Sequence, residues 1–550
     1  MNLMKDFSMS LLRFALFSLA LTACSESGSD AEFDAGADTG SGDTGSGSAG
    51  SGSDTGSGSD TGSDTGSGSD TGPSDTGSGS GSGSDTGAVD APTLHPTGRL
   101  TADGTRIVDA EGSTVLLRGV NLGGWLFHET WLTALDLSDY QRAYLAAHDP
   151  AAPSPIAPEV DASITAVGAG TGADWQAAFG AELAARTDAA AAADFVAGLP
   201  GYPSVSDDSD LPLRQLLEQR FGTQGRDELM DLFQSQWVKD EDIAWLADHG
   251  FNLVRIPIGY RSLVTNSDLE DPTTLFWNEA AFARLEAVLD SCAAHGIYAV
   301  VDIQESPGGH NDYSGPARLY ESEAFAALTV TLWEELSRRL HDRDEVAAYS
   351  LLAEPFSAPS NAARDAMYDR LHDAIRALGD DHLLVIHDGF AGMSTLPVAS
   401  QMGWSNVVYS THNFEWSINS TAGYRTLLSL SMPGFRIAQE DQGVPWFIGS
   451  FSTMRDRPWA YDSARLLTEA WEAEGWSWSL WTYKKIDDPI DVALLDGSTS
   501  WGVRGRLASD LPRPDIYEDS FEELRASFEA LASVTINENP ALLNALTGPR

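Results

Sequence analysis

Eight short apolar, β-rich runs, each followed by a segment with helical spacing, predict an α/β protein folded as a (β/α)8 barrel. The runs are Val115–Asn121, Asn252–Ile258, Tyr298–Gln304, Ala347–Pro355, Leu383–Gly389, Val407–Phe414, Trp446–Phe451 and Ser477–Lys484. Near-continuous apolar character suits strands buried on both faces, as in an all-parallel sheet. Intervening segments such as Asp240–His249 and Ala280–His295 have helical spacing and stop at Gly250 and Gly296.

Ahead of the first run, Arg106–Asp109 turns at Glu111-Gly112 into Thr114–Leu117, an N-terminal β-hairpin that would close the barrel floor. The connection between strands 1 and 2 is long. Residues 145–212 are rich in Ala, Asp and Pro, with weak helical periodicity around Trp175–Phe195, and read as an insertion or lid-like excursion on the cleft side. The barrel domain is expected over 96–530, with one more helix beyond Ser520 and then a loose polar end.

The N-terminal residues carry Lys5 and Arg13, the apolar run Phe14–Leu21, and Leu21-Thr22-Ala23-Cys24. A cationic start, a short apolar core and small residues before a cut make a secretory signal. Residues 1–23 resemble a bacterial lipoprotein signal, which implies lipidation of Cys24 and a secreted, cell-surface or outer-membrane protein held to the membrane by its N-terminal lipid alone. Residues 24–95 are almost wholly Gly, Ser, Asp and Thr, and no Lys or Arg falls between Cys24 and Gly98. Such a composition has nothing to bury against its ordering entropy, so it is expected to be a disordered tether. The net charge of −48 argues against a nucleic-acid partner. Of the two cysteines, Cys292 falls on an amphipathic helix and reads as a buried thiol, so no disulfide framework is expected.

Side chains at the C-terminal ends of barrel strands face the active site. Strand 1 ends in Arg118–Trp125, with Glu129 just beyond; strand 2 carries Arg255, strand 3 Gln304, strand 4 Glu354-Pro355, and strand 5 His387-Asp388-Gly389-Phe390. Strand 6 ends in His412-Asn413-Phe414, strand 7 in Gly449-Ser450, and strand 8 contains Trp478 and Trp481. Carboxylate, arginine, histidine and tryptophan together suit a sugar ring: aromatic faces stack on its C–H face and charged groups bond its hydroxyls.

The stretches Leu117–Leu126, Trp237–Tyr260, Asp302–Gly315, Leu352–Pro355, Ile386–Phe390, Val408–Phe414, Phe447–Ser452 and Gly475–Lys484 resemble glycoside hydrolase family 5, in particular its exo-1,3-β-glucanase-like members. The resemblance implies a TIM barrel that cleaves O-glycosidic bonds of β-glucan-type polysaccharides with retention, using two glutamates and neither cofactor nor metal. It places Glu354 at the acid/base position, Arg255, His412 and Trp481 at active-site positions, and Glu129 at a carboxylate that holds sugar hydroxyls. It also implies departures. The motif Asn is Ala353, the strand-3 His is Gln304, the strand-6 Tyr is Phe414, and the nucleophile is Ser450.

A serine hydroxyl is un-ionised near neutral pH and does not stabilise developing positive charge as a carboxylate does. Three readings follow. A second carboxylate has moved in, Glu305 or Glu415, with Asp302 as a further acid at the barrel rim; or the barrel binds a β-glucan or related oligosaccharide without turning it over; or it is a structural or interaction module with an empty cleft. On the first count both glutamates are expected to be solvated loop acids, since neighbouring strand residues point opposite ways. His310, His387 and His412 lack short metal-ligand spacing, so no metal is expected.

Overall fold

The computed structural model describes residues 98–549 except 134–138, 150, 169–171, 200–209, 314–316, 416, 454–456, 488–501, 508–513 and 532–536. The expected signal, Cys24 and the whole of the 24–95 tether lie outside the described residues. Within them, no helix is long and apolar enough to cross a membrane.

A hairpin of β1 (Thr101–Asp103) and β2 (Arg106–Val108) precedes the barrel. The expected pairing of 106–109 with 114–117 is reduced to one bridge, Val108 to Thr114, and the Val115 N–H bond to Ile107 O. The regular hairpin instead turns one strand earlier at Gly104, whose φ of 57° suits glycine. The segment still closes the floor: Leu100, Ile107, Val115 and Leu117 pack with the inward Leu253, Tyr298, Val300, Val385, Val408 and Phe447 of the strands above.

The barrel strands are β3 (Arg118–Asn121), β4 (Leu253–Gly259), β5 (Tyr298–Glu305), β6 (Val346–Ser350), β7 (Leu383–His387), β8 (Val407–Phe414), β9 (Trp446–Ser452) and β10 (Ser477–Leu480). Every pairing between them is parallel, and β10 closes on β3, so this is a (β/α)8 TIM barrel. The expected eighth run, Ser477–Lys484, divides. Its second part opens β11 (Lys484–Asp487), which forms a small sheet with β12 (Arg504–Leu507) and β13 (Asn537–Glu538).

The insertion is helical. Helices Asp139–Ala147, Ala157–Val167, Gly172–Arg186 and Ala189–Ala197 enclose their own core of Tyr140, Val160, Ile164, Trp175, Phe179 and Leu183. Because it follows β3, it rises from the end of the barrel where the strands terminate. The segment after Ala530 is not a loose end. Helix Pro540–Thr547 buries Leu542, Leu543 and Leu546 against the barrel's shell, and Arg465 bonds the Asn544 carbonyl. Its short Leu-Leu-x-x-Leu face is only two turns long, too little periodicity to stand out in the sequence.

Candidate active site

Glu354 lies just past β6 with φ +51°, a left-handed conformation that turns its carboxyl inward over the barrel mouth. Two side chains hold that carboxyl. Tyr313, from the loop after β5, donates its hydroxyl to Oε2 at 2.6 Å, and His412 Nδ1 on β8 bonds Oε1. Behind the loop, His310 Nε2 donates to Ala353 O at 2.6 Å, and Asn311 adds a second bond to the same carbonyl at 3.3 Å. The His310 ring is fully buried and neutral, its pKa pushed down to about 4 by desolvation.

The next layer is ionic. Arg255 on β4 donates to Asn121 Oδ1 at 2.7 Å, to Asp302 Oδ2 at 2.7 Å and to Gln304 Oε1 at 3.1 Å. Arg255 and Asp302 are 1 % and 0 % exposed, so the guanidinium sits dry beneath the acid-bearing loop. Burial raises the Asp302 carboxyl against the opposing pull of Arg255. Burial, with the Arg255 charge adding to it, holds His412 well below the usual imidazole range; the same two causes act on His387, to which the neighbouring His412 ring contributes more than the arginine.

On the far side, Ser450 on β9 is the register partner of His412. Its Oγ is buried without a hydrogen-bond partner. Gly449 makes room for the imidazole: a Cβ there would lie 3.0 Å from His412 Nε2 and 2.8 Å from Ser410 Oγ. The His387 and His412 rings meet edge-to-face at 4.4 Å, with Phe390 against both.

Trp481 follows β10, buried, its N–H on Phe451 O at 2.8 Å and its ring beside Gly123. Trp478 takes the other side of the strand, where Nε1 donates to Glu472 at 2.8 Å and the ring packs on Phe451. Glu129 is buried in the loop after β3. Among the residues singled out in the sequence, the structure therefore bonds Glu354 to His412 and, separately, Arg255 to Gln304 and Asp302, with Ser450 in register beside His412. It also adds Tyr313 to the Glu354 pair and Asn121 to the Arg255 group. A loop tyrosine carries no sequence signal of this kind.

Neither Glu305 nor Glu415 is a solvated loop acid. Glu305 points away from Gln304 and forms a buried ion pair with Arg261. Burial raises its carboxyl, with Arg261 the main opposing influence. Glu415 is buried beside Tyr424, and desolvation alone raises it. Glu305 thus lies among the charges of Arg261, Asp210 and Arg214, and Glu415 just past the end of β8. Among the described residues there is no cluster of His, Cys, Asp and Glu that would hold a metal ion.

Parallel strands that all terminate at one mouth, around a carboxyl held between an imidazole and a phenol, define a barrel of the glycosidase class. Comparison with known proteins narrows the class. Residues 219–486 match the family model described as Cellulase (glycosyl hydrolase family 5). A β-xylosidase from Phanerodontia chrysosporium is 26% identical over 416 residues, covering 70% of this chain and 71% of that protein. A probable glucan 1,3-β-glucosidase A from Neosartorya fischeri is 28% identical over 206 residues, covering 35% of this chain and 47% of its own length. The chain thus spans about half the length of that glucosidase. Among solved structures, endoglucanase Cel5A from Thermotoga maritima aligns at 17% identity and TM-score 0.41, over 56% of this chain and 90% of that one. The chain belongs to glycoside hydrolase family 5.

Proposed function

We propose that the barrel takes β-glucan-type saccharides, with Glu354 as its proton-transferring acid and Ser450 in the place of the family's nucleophile. The observation that carries this is the Glu354 carboxyl, fixed by Tyr313 and His412 directly beside the Ser450 strand. Substrate class is supported by the relatives, which include a β-xylosidase and glucan 1,3-β-glucosidases, all named for β-linked sugars. Glu129, Arg255, Gln304 and Trp481 are the residues proposed to hold the sugar.

Retaining hydrolysis needs two carboxyls ~5–5.5 Å apart, one to protonate the leaving oxygen and one to bond the anomeric carbon. Of the acids that sequence offers as replacements, Glu305 is held by Arg261, and Glu415 is buried beside Tyr424, where desolvation disfavours its charged form. Asp302 is bound to Arg255. The protein is therefore read as binding its saccharide with little or no ordinary hydrolysis. Loss of a catalytic carboxylate costs about 10³-fold or more in rate. At the cell surface, anchored through Cys24 on the 24–95 tether, such a barrel would act as a carbohydrate receptor.

Affinity electrophoresis through β-1,3-, β-1,4- and mixed-linkage glucans tests the substrate class; migration unaffected by every glucan overturns it. Ser450→Glu should gain hydrolysis of an aryl β-glucoside with retention, and Glu354→Gln in that background should lose it. Retaining hydrolysis by the unaltered protein at rates ordinary for glycosidases would refute the reading of Ser450.

A further inference from the structure

Two buried hydrogen-bond donors at the barrel mouth have no acceptor among the described residues. Ser450 is 1 % exposed, and no group meets its Oγ. His387 is also 1 % exposed; its Nδ1 accepts the Gly389 N–H at 2.9 Å, which places the ring proton on Nε2, and no group meets Nε2 either. The two residues flank His412, which stacks edge-on against His387 and pairs in register with Ser450. Leaving one buried polar group unpaired costs about 1–3 kcal/mol, and two such donors on either side of His412 point to a ligand that completes the bonding. The neighbouring residues narrow the ligand. Two unpaired N–H and O–H donors favour an acceptor-rich group, and the Arg255 charge, which reaches both imidazoles, offsets part of the Glu354 charge that an anion would meet there.

We infer that Ser450 and His387 form the seat of a small oxyanion, and that this anion serves as the nucleophile in transferring a β-linked sugar out of the Glu354 site. The inference rests on the proposed role of Glu354. The step balances without any redox partner. An oxygen of the anion bonds the anomeric carbon from the face opposite the leaving group, while the C–O bond to the leaving group breaks. Glu354 gives its proton to the departing oxygen and regains one from the incoming acid through solvent. With phosphate monoanion, a β-glycoside and the phosphate become an α-glycosyl phosphate and a free alcohol. With formate the product is an α-glycosyl formate, which water then hydrolyses. The protein's missing carboxylate is thus supplied by a diffusible one.

The test uses the full chain and 4-nitrophenyl β-glucoside, with sodium phosphate, formate or chloride at equal ionic strength. Phosphate or formate should accelerate nitrophenol release about tenfold or more over chloride, saturably, with an α-linked product seen by ³¹P or ¹H NMR. Phosphate activation identifies a phosphorolytic seat, and formate activation alone a smaller planar one; either supports the inference. Ser450→Ala should raise the half-saturating anion concentration about tenfold, the loss expected for one bond to a charged group. Ser450→Glu fills the seat with its own carboxylate and should abolish the anion dependence while hydrolysing unaided. If Ser450→Glu hydrolyses and the unaltered protein responds to neither anion, the inference is overturned and the role of Glu354 stands. If Ser450→Glu is inactive and no glucan retards the protein, both fall together.

Discussion

Tyr313 and Glu354, forty-one positions apart, are joined by a 2.6 Å hydrogen bond that ties the loop after β5 to the acid after β6. The phenol donates, so it restrains one carboxyl oxygen while His412 restrains the other. Tyr313→Phe leaves the carboxyl held by His412 alone. In the Ser450→Glu background, kcat should fall about tenfold with little change in stability, corresponding to one lost bond of ~1.4 kcal/mol. An unchanged kcat would show that His412 alone positions the acid.

The Arg255–Asp302 pair is dry, and breaking it strands a charge. Asp302→Asn should destabilise the fold by about 3 kcal/mol in urea unfolding, the lower end for a buried pair because Asn121 and Gln304 still accept from Arg255. Adding Arg255→Met should recover part of that loss, since no uncompensated charge then remains. A double variant less stable than Asp302→Asn would argue that packing, and not charge, dominates.

Stability should fall on the acid side in a window set by buried imidazoles, with His387 and His412 adding to it in the same direction. Burial pushes both His128 and His310 down to about 4 from an ordinary 6.5. The unfolded chain therefore binds protons first, so stability is full above pH ~6.5 and is lost as pH falls toward ~4, by about 3 kcal/mol for each ring. Chemical denaturation across pH 4–7 measures the slope. His310→Gln, which keeps a donor for Ala353 O, should remove one ring's share, about 3 kcal/mol.

Gly449→Ala introduces a methyl into the space between Ser410 Oγ and His412 Nε2. The expected cost is about 1–3 kcal/mol, read as a lower Tm, with displacement of His412 from Glu354. A Tm unchanged within error would mean that the imidazole gives way freely.

Cys292 is fully buried, and desolvation raises its thiol far above the ordinary range. Peptide-resolved alkylation should therefore leave Cys292 unmodified in the folded protein and label it only at the rate of global unfolding. Labelling within minutes under native conditions would place the helix Glu279–His295 among locally opening segments.

The barrel was readable because strands buried on both faces leave continuous apolar runs, and Gly250 and Gly296 mark where the helices stop. Strand ends were read less well. Val346–Ser350 leaves the ladder five residues before its apolar run does, since Leu351, Leu352 and Ala353 remain buried while their backbone turns toward the mouth. The site was readable where a residue type and a strand end coincide, as at Arg255, Glu354 and His412. Glu305 was opaque for a physical reason: its partner Arg261 lies in a one-turn helix after another strand, and no local pattern links them. Tyr313 is hidden likewise by loop placement, and Leu542 and Leu546 by the brevity of their helix.

Glu354 occupies a backbone conformation that costs an ordinary residue roughly 1 kcal/mol and a glycine almost nothing. That cost is set against the two bonds the carboxyl makes to Tyr313 and His412. Glu354→Gly would relax the backbone yet take a bonding partner from a phenol and a buried imidazole, so the groups that position the acid depend on it in turn for their own stability.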